Sequence, residues 1–361
     1  MEQKAAAYCG CLLGMAVGDA MGYTVDKKSW DEICEDYGPN GLLGYDLVNG
    51  GADVTSYTQL AAFVCNGFLL SSLRANPSLH PKYLMMSIRE WAKSQQFRVN
   101  TEKTRCWIAQ VPEMRRRYCM DTRVLDALSR EVLGTPEKPV FRSLHPAMLT
   151  AAMAVGLCHD SARLEQEQVG RLAAETVALT HGEPENFVAG AFLAVALSRI
   201  LQQPDAPLIP LYEQVCEDIE AQFSAQWPQT GKVTALVRQA ISLTKDVELT
   251  PLAAMTLLGC TNAAECAAGA VYATVIHVAN FDEAMIVSVN HSGRSAAVGA
   301  ITGALLGAKL GVEALPEFYL ESLEPVQALT ELAVDLTQAK QTLSIFDDSW
   351  DQKYVQGMPS H

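Results

Sequence analysis

Two runs of glycine constrain this chain more than any other feature. Gly10, Gly14, Gly18 and Gly22 recur at a spacing of four, and so do Gly299, Gly303, Gly307 and Gly311. Residues four apart share one face of an α-helix, so each run presents a groove bare of side chains. Glycine costs about 1 kcal/mol relative to alanine at each helix-interior position, so four per helix need an offsetting gain. Close approach of a second helix backbone, or of a ligand, supplies one. If the two grooves meet, the ends of the chain come together. Asp19 and Asp26 would then lie near the polar turn Asn290-His291-Ser292-Gly293-Arg294-Ser295 that opens the second run.

Helical periodicity dominates the rest. Apolar residues fall at three- and four-residue spacing around 59–73, 80–97, 121–133, 147–158, 164–180, 186–202, 208–225, 231–243, 263–278 and 281–289. The breakers between them are Asn76-Pro77, Gly134-Thr135-Pro136, His181-Gly182-Glu183-Pro184 and Gln203-Pro204-Asp205. Alternating strand-like runs are scarce. With 49% hydrophobic and 19% charged residues, a sizeable core is affordable. The pattern predicts an all-α, compact multi-helix domain over residues 1–348, followed by a weakly anchored tail at 349–361.

The balance of charge narrows the partners. Against 27 Lys+Arg stand 41 Asp+Glu, a formal net charge of −14, which argues against nucleic acid or an anionic membrane. The basic run Arg115-Arg116-Arg117 lacks interleaved aromatics and reads as a solvated face. Ten cysteines sit mostly among apolar or small residues, with no CxxC and no zinc-ligand spacing. The N-terminal segment carries Glu2, Lys4 and Asp19 and resembles neither a signal peptide nor a span. A reduced, cytoplasmic protein without membrane segments is the expectation.

Three motifs in order then carry a resemblance. GCLLGMAVGDAMGYTVD (10–26), LTHGEPENFVAGAFLAVAL (179–197) and FDEAMIVSVNHSGRSAAVGAITGALLGAKLG (281–311) resemble signatures of the ADP-ribosylglycohydrolases. The similarity runs from about residue 6 to about residue 335. It implies an all-α domain whose cleft binds an ADP-ribosyl group and, ordinarily, two magnesium ions. In that family one pair of metal-binding carboxylates comes from a Thr-Asp-Asp-Thr motif, matched here by Thr55-Ser56-Tyr57-Thr58. The others come from Gly-Asp-x-Asp-Ser/Thr, matched by Gly293-Arg294-Ser295-Ala296-Ala297.

The carboxylates are therefore replaced: Ser56 and Tyr57 stand for one pair, Arg294 and Ala296 for the other. Among the family's ligand positions Thr55 alone keeps a usable oxygen. Magnesium demands near-octahedral oxygen ligation, and a guanidinium repels it. The resemblance thus implies a cofactor whose ligands are missing, and no metal is expected. Residues expected to line a remodelled cleft are Asp19, Thr55, Ser56, Tyr57, Asn290, His291, Ser292, Gly293, Arg294 and Ser295.

Arg294 has two readings: internal pairing with Asp19 or Asp26, or contact with an anionic ligand. Asp26 stands where some members of the family carry a glutamate held catalytic. His291, in the polar turn, is the other candidate acid–base group. His181 is read as structural by the same resemblance. Three functions follow. The first is binding of an ADP-ribose-like or nucleotide small molecule, or of an ADP-ribosylated protein, with the usual hydrolysis lost or altered. The second is metal-independent glycoside hydrolysis through Asp26 or His291. The third is a non-catalytic scaffold or regulatory protein.

Overall fold

The computed structural model describes residues 2–47, 50–72, 76–96, 104–342, 350 and 353–354. Sixteen α-helices lie among them, with one isolated bridge between Ala52 and Leu323. The first half holds α1 (Gln3–Val25), α2 (Trp30–Tyr37), α3 (Ser56–Ser72), α4 (His80–Gln96), α5 (Thr122–Ser129), α6 (Leu149–Leu157), α7 (Gln166–Ala178) and α8 (Pro184–Gln202). The second holds α9 (Leu208–Phe223), α10 (Thr230–Leu243), α11 (Pro251–Leu258), α12 (Ala263–Ile276), α13 (Phe281–Val289), α14 (Ser295–Leu310), α15 (Glu317–Ser322) and α16 (Val326–Thr342).

The two glycine grooves meet. Helices α1 and α14 pack antiparallel, with Gly10, Gly14 and Gly18 against the backbones of Gly307, Gly303 and Gly299, and Gly22 against Ser295. A Cβ at any of these glycines would overlap a carbonyl of the opposite helix. Gly311 differs from the expectation: at φ 82° it follows the last residue of α14 and ends the helix, although its backbone still packs against Gly10.

Around this pair the helices sort by composition. Every residue of α3 and α6 is buried, as are α14 from Ser295 to Ala308 and nearly all of α8 and α12. These helices are apolar on all sides because they have no solvent face. Helices α4, α7, α9 and α10 each bury one stripe and close the core from outside. Two helices, α1 and α8, are long and apolar enough to cross a membrane, and 89% and 78% of their apolar windows are buried within this fold.

The predicted segments became helices, with informative differences. Expected over 121–133, α5 stops at Ser129. Arg130 turns extended there, and the Arg89 guanidinium donates to the carbonyls of Arg130 and Glu131. Helices α2, α11, α15 and α16 are absent from the periodicity reading. Of the segment expected to be a weakly anchored tail, Trp350, Lys353 and Tyr354 are described, and they are anchored. Trp350 and Tyr354 are buried, and the Tyr354 hydroxyl donates to Asp335 and accepts from the Trp107 indole. The remaining tail positions, 349, 351–352 and 355–361, lie outside the described residues.

Candidate functional site

Asp19 organises the entrance to α3. Its buried carboxylate accepts four hydrogen bonds: from the amide and hydroxyl of Thr55 (2.9 and 2.6 Å) and from those of Thr58 (3.0 and 2.7 Å). This is an N-cap supplied from another helix. Burial pushes the carboxyl up to about 6, against the pull of those donors. Asp19 and Thr55 therefore saturate each other, and neither is left free for a ligand. Ser56 follows suit, its hydroxyl accepting from the Met120 amide at 3.0 Å.

The polar turn before α14 is likewise built into the fold. Asn290 brackets Leu42, accepting from its amide and donating to its carbonyl at 2.8 Å each. Ser292 accepts from the Trp30 amide at the start of α2 (2.7 Å). The Gly293 carbonyl accepts from the Lys27 amide (2.9 Å), where the chain turns at φ 69° after α1. Ser295 is fully buried, its hydroxyl directed at the His291 carbonyl. His291 is 1% exposed, and its Nε2 donates to the Ser288 carbonyl at 3.0 Å. Burial lowers it to about 4, so it is neutral at pH 7, but its ring is shut away from solvent. That enclosure removes the access a general base needs.

Asp26 and Arg294 face each other across the end of the α1–α14 pair. Asp26 Oδ1 accepts from the Ala296 amide at 3.3 Å, capping α14, and Arg294 Nη1 lies 3.8 Å from Asp26 Oδ2. Neither of those last two atoms makes a hydrogen bond among the described residues, although both are buried. The hydroxyl of Tyr57, fully buried, is a third such atom, and the charges of Asp26 and Arg294 both act on it. Burial raises Asp26, with Arg294 and the Ala296 amide opposing. Of the two readings of Arg294, pairing with Asp26 is the one the geometry contains; Asp19 is already saturated.

The family's magnesium can be tested against these residues. The positions that the resemblance matches to its ligands hold Ser56, bound to Met120; Tyr57, a buried phenol; Arg294, a cation; and Ala296, wholly buried. Asp19 is buried and committed to the start of α3, with three donors on Oδ2 and one on Oδ1. The residues present do not fit a magnesium pair.

Outside this buried group an open cleft of ≈ 590 Å³ is lined by Arg123, Arg142, His145, Glu183, Asn262 and Arg294, among others. Of the residues expected at a site, Arg294 alone lines it. Beneath it Asp121, His145 and His181 form a buried group with potential metal-ligand atoms within 4.8 Å of one another. Those atoms are already hydrogen bonded. His181 Nε2 donates to Asp121 Oδ2 at 3.1 Å, and Arg123 Nε reaches both Asp121 oxygens at 2.9 and 3.0 Å. Burial works against the Asp121 charge, but these donors hold its carboxyl well below the usual range. His145 Nδ1 accepts from the Ala147 amide at 3.2 Å, which places its proton on Nε2. Burial depresses His145 to about 3, so it is neutral.

Sequence reasoning missed Arg123, Arg142, His145 and Asp121. Asp121 had a local signal, since it N-caps α5; Arg142 had none. A second hollow of ≈ 600 Å³ between the 134–137 loop, α7 and Trp227 carries Arg171 and Glu175 but none of the expected residues.

Compared with known proteins, residues 1–344 match a family model described as ADP-ribosylglycohydrolase. A solved structure described as an ADP-ribosylglycohydrolase-related protein complex is similar at a TM-score of 0.55 and 20% identity, covering 94% of this chain and 99% of that one. At that identity the likeness speaks for the fold alone. A search of curated proteins gives no significant match.

Proposed function

The chain belongs to the ADP-ribosylglycohydrolase family, and from that premise we propose that its cleft is a metal-free pocket for an ADP-ribose-like or nucleotide ligand. The family's magnesium-dependent hydrolysis of ADP-ribosyl groups is, on this reading, lost or altered. One observation carries it: at a position where the family places a metal-binding carboxylate, Arg294 lines the cleft and sets its guanidinium 3.8 Å from Asp26. A fixed cation takes over part of the electrostatic role of the ions, and it favours anions where the metals would favour hydroxyls.

The chemistry left to this chain's own residues is binding and orientation. Arg294 and Arg123 present directed N–H groups to the cleft. His145, neutral, offers its Nε2–H. Arg142 and Glu183 stand at the rim. Calorimetry with ADP-ribose tests the reading. Binding should be the same with magnesium and with a chelator; strict dependence on magnesium overturns it.

A second reading has its own observation. Asp26 Oδ2 is buried and lacks a hydrogen bond among the described residues, and burial raises the carboxyl above its usual range. A raised carboxyl is what a glycosidase acid requires. On that reading Asp26→Asn abolishes turnover of any glycoside found by product screening, and unchanged turnover excludes the role. His291 Nδ1 is likewise buried without a partner among the described residues, but the ring is 1% exposed and held below its usual range, so it is the weaker candidate.

A further inference from the structure

We propose that this cleft recognises the terminal phosphate of a phosphomonoester, seated among Arg294, Arg123 and Arg142. The inference rests on the reading of the cleft as a metal-free ligand pocket and narrows the ligand it takes.

Three arginines line one cleft in a chain whose net charge is −14. Each has a carboxylate beside it, but Arg123 alone is hydrogen bonded to its own. Arg123 gives its Nε to Asp121, which leaves its two terminal nitrogens. Arg142 stands 3.8 Å from Glu183 and Arg294 3.8 Å from Asp26; neither guanidinium makes a hydrogen bond among the described residues. A carboxylate that touches one edge of a guanidinium orients it and leaves the other donors available. His145 lines the same wall. The start of α12 adds nothing, because Glu265 already takes the amides of Thr261 and Asn262.

Charge decides among ligand ends. A ribose diol brings no charge and would leave the guanidinium donors facing neutral oxygens. The pyrophosphate of ADP-ribose carries its charge mid-ligand, with sugars on both sides. A phosphomonoester brings about −1.5 to −2 charges at pH 7 and three acceptor oxygens at one end. That end matches a cleft backed by buried side chains. Tyr57 and Ala296 are both fully buried, and Arg294 lines the cleft. The three carboxylates compete for the arginines, so the site should be selective for divalent over monovalent anions.

The test is calorimetry on the full chain with ribose 5-phosphate, AMP, adenosine and ADP-ribose, repeated on Arg142→Gln and Arg294→Gln. Arg142 is largely exposed, so its variant should keep the fold even if loss of Arg294 strains it. Expected are binding of at least one phosphomonoester, its competition with ADP-ribose, no binding of adenosine, and about tenfold or greater weakening in each variant. AMP binding well above ribose 5-phosphate marks a nucleotide; equal binding marks a sugar phosphate. If ADP-ribose binds while neither phosphomonoester binds or competes, this inference fails and the ligand pocket stands. Binding unchanged in both variants also overturns it. If nothing binds, both readings fall.

Discussion

Arg294 Nη1 and Asp26 Oδ2 lie 3.8 Å apart at the end of the glycine-lined helix pair, close enough to attract and too far to hydrogen bond. The glycines set this distance. Backbone contact between α1 and α14 fixes how near the last turn of one helix comes to the first turn of the other, and each residue is carried on one of those turns. A mostly buried pair without a hydrogen bond contributes little net stability, although an abandoned partner is costly.

A double-mutant cycle measures the pair. Asp26→Asn and Arg294→Gln should each destabilise the protein by about 1–3 kcal/mol, because each leaves a buried partner unpaired, and the double variant should cost less than their sum by about 0.5–3 kcal/mol. Urea denaturation of the four proteins gives the coupling. A coupling of zero would mean that the arginine serves the cleft alone.

The glycine interface makes a prediction with a built-in control. Gly18→Ala puts a methyl into the Gly299 carbonyl, so α1 and α14 must separate, at a cost of about 1–3 kcal/mol. Gly231, in the first turn of α10, meets nothing within 4 Å. Gly231→Ala should therefore stabilise by about 0.4–1 kcal/mol through the unfolded chain. Opposite shifts in thermal midpoint are expected. Equal effects would show that helix propensity, not contact, governs both positions.

Much of this frame was legible because it rests on local, periodic signals. Glycine spacing marked the α1–α14 groove, and the breakers marked the ends of α7 and α8. Helix α2 could have been found as well, from the Ser29-x-x-Glu32 capping box that the structure contains. The cleft was less legible. Asn290, Ser292 and Thr55 have residue types suited to a ligand, but their partners Leu42, Trp30 and Asp19 lie far away in sequence. Arg142 has no local pattern at all; only tertiary packing brings it beside Arg294.

Asp19 gives a pH test whose sign is unusual for a capping carboxylate. Its folded value of about 6 lies above the ordinary 3.8, so the native state holds the proton more tightly than the unfolded chain. Its contribution to stability is fully present below the unfolded value and is lost as pH rises through the folded one. The whole swing is at most about 3 kcal/mol. Asp19→Asn should therefore cost more at pH 4 than at pH 7, read as the gap between denaturant midpoints. A gap that widens with pH would show the four donors outweighing burial.

Tyr57 separates stability from binding in one substitution. Its ring fills core space where the resemblance implies a carboxylate, and its hydroxyl is buried with no hydrogen-bond partner among the described residues. An unsatisfied buried hydroxyl costs about 1–3 kcal/mol of desolvation, and phenylalanine keeps the ring while removing that cost. Tyr57→Phe should thus be neutral or more stable by about 1 kcal/mol, measured as a higher urea midpoint with an unchanged slope. The hydroxyl also lies within the fields of Asp26 and Arg294, the two charges at the base of the proposed pocket. If a ligand or bound water bridges the three, the same variant weakens phosphomonoester binding while the fold gains. If Tyr57→Phe instead destabilises the protein by more than 1 kcal/mol without ligand, the hydroxyl has a standing partner. The space between Asp26 and Arg294 would then be filled in the resting protein, and a ligand reaching it would have to displace what is there.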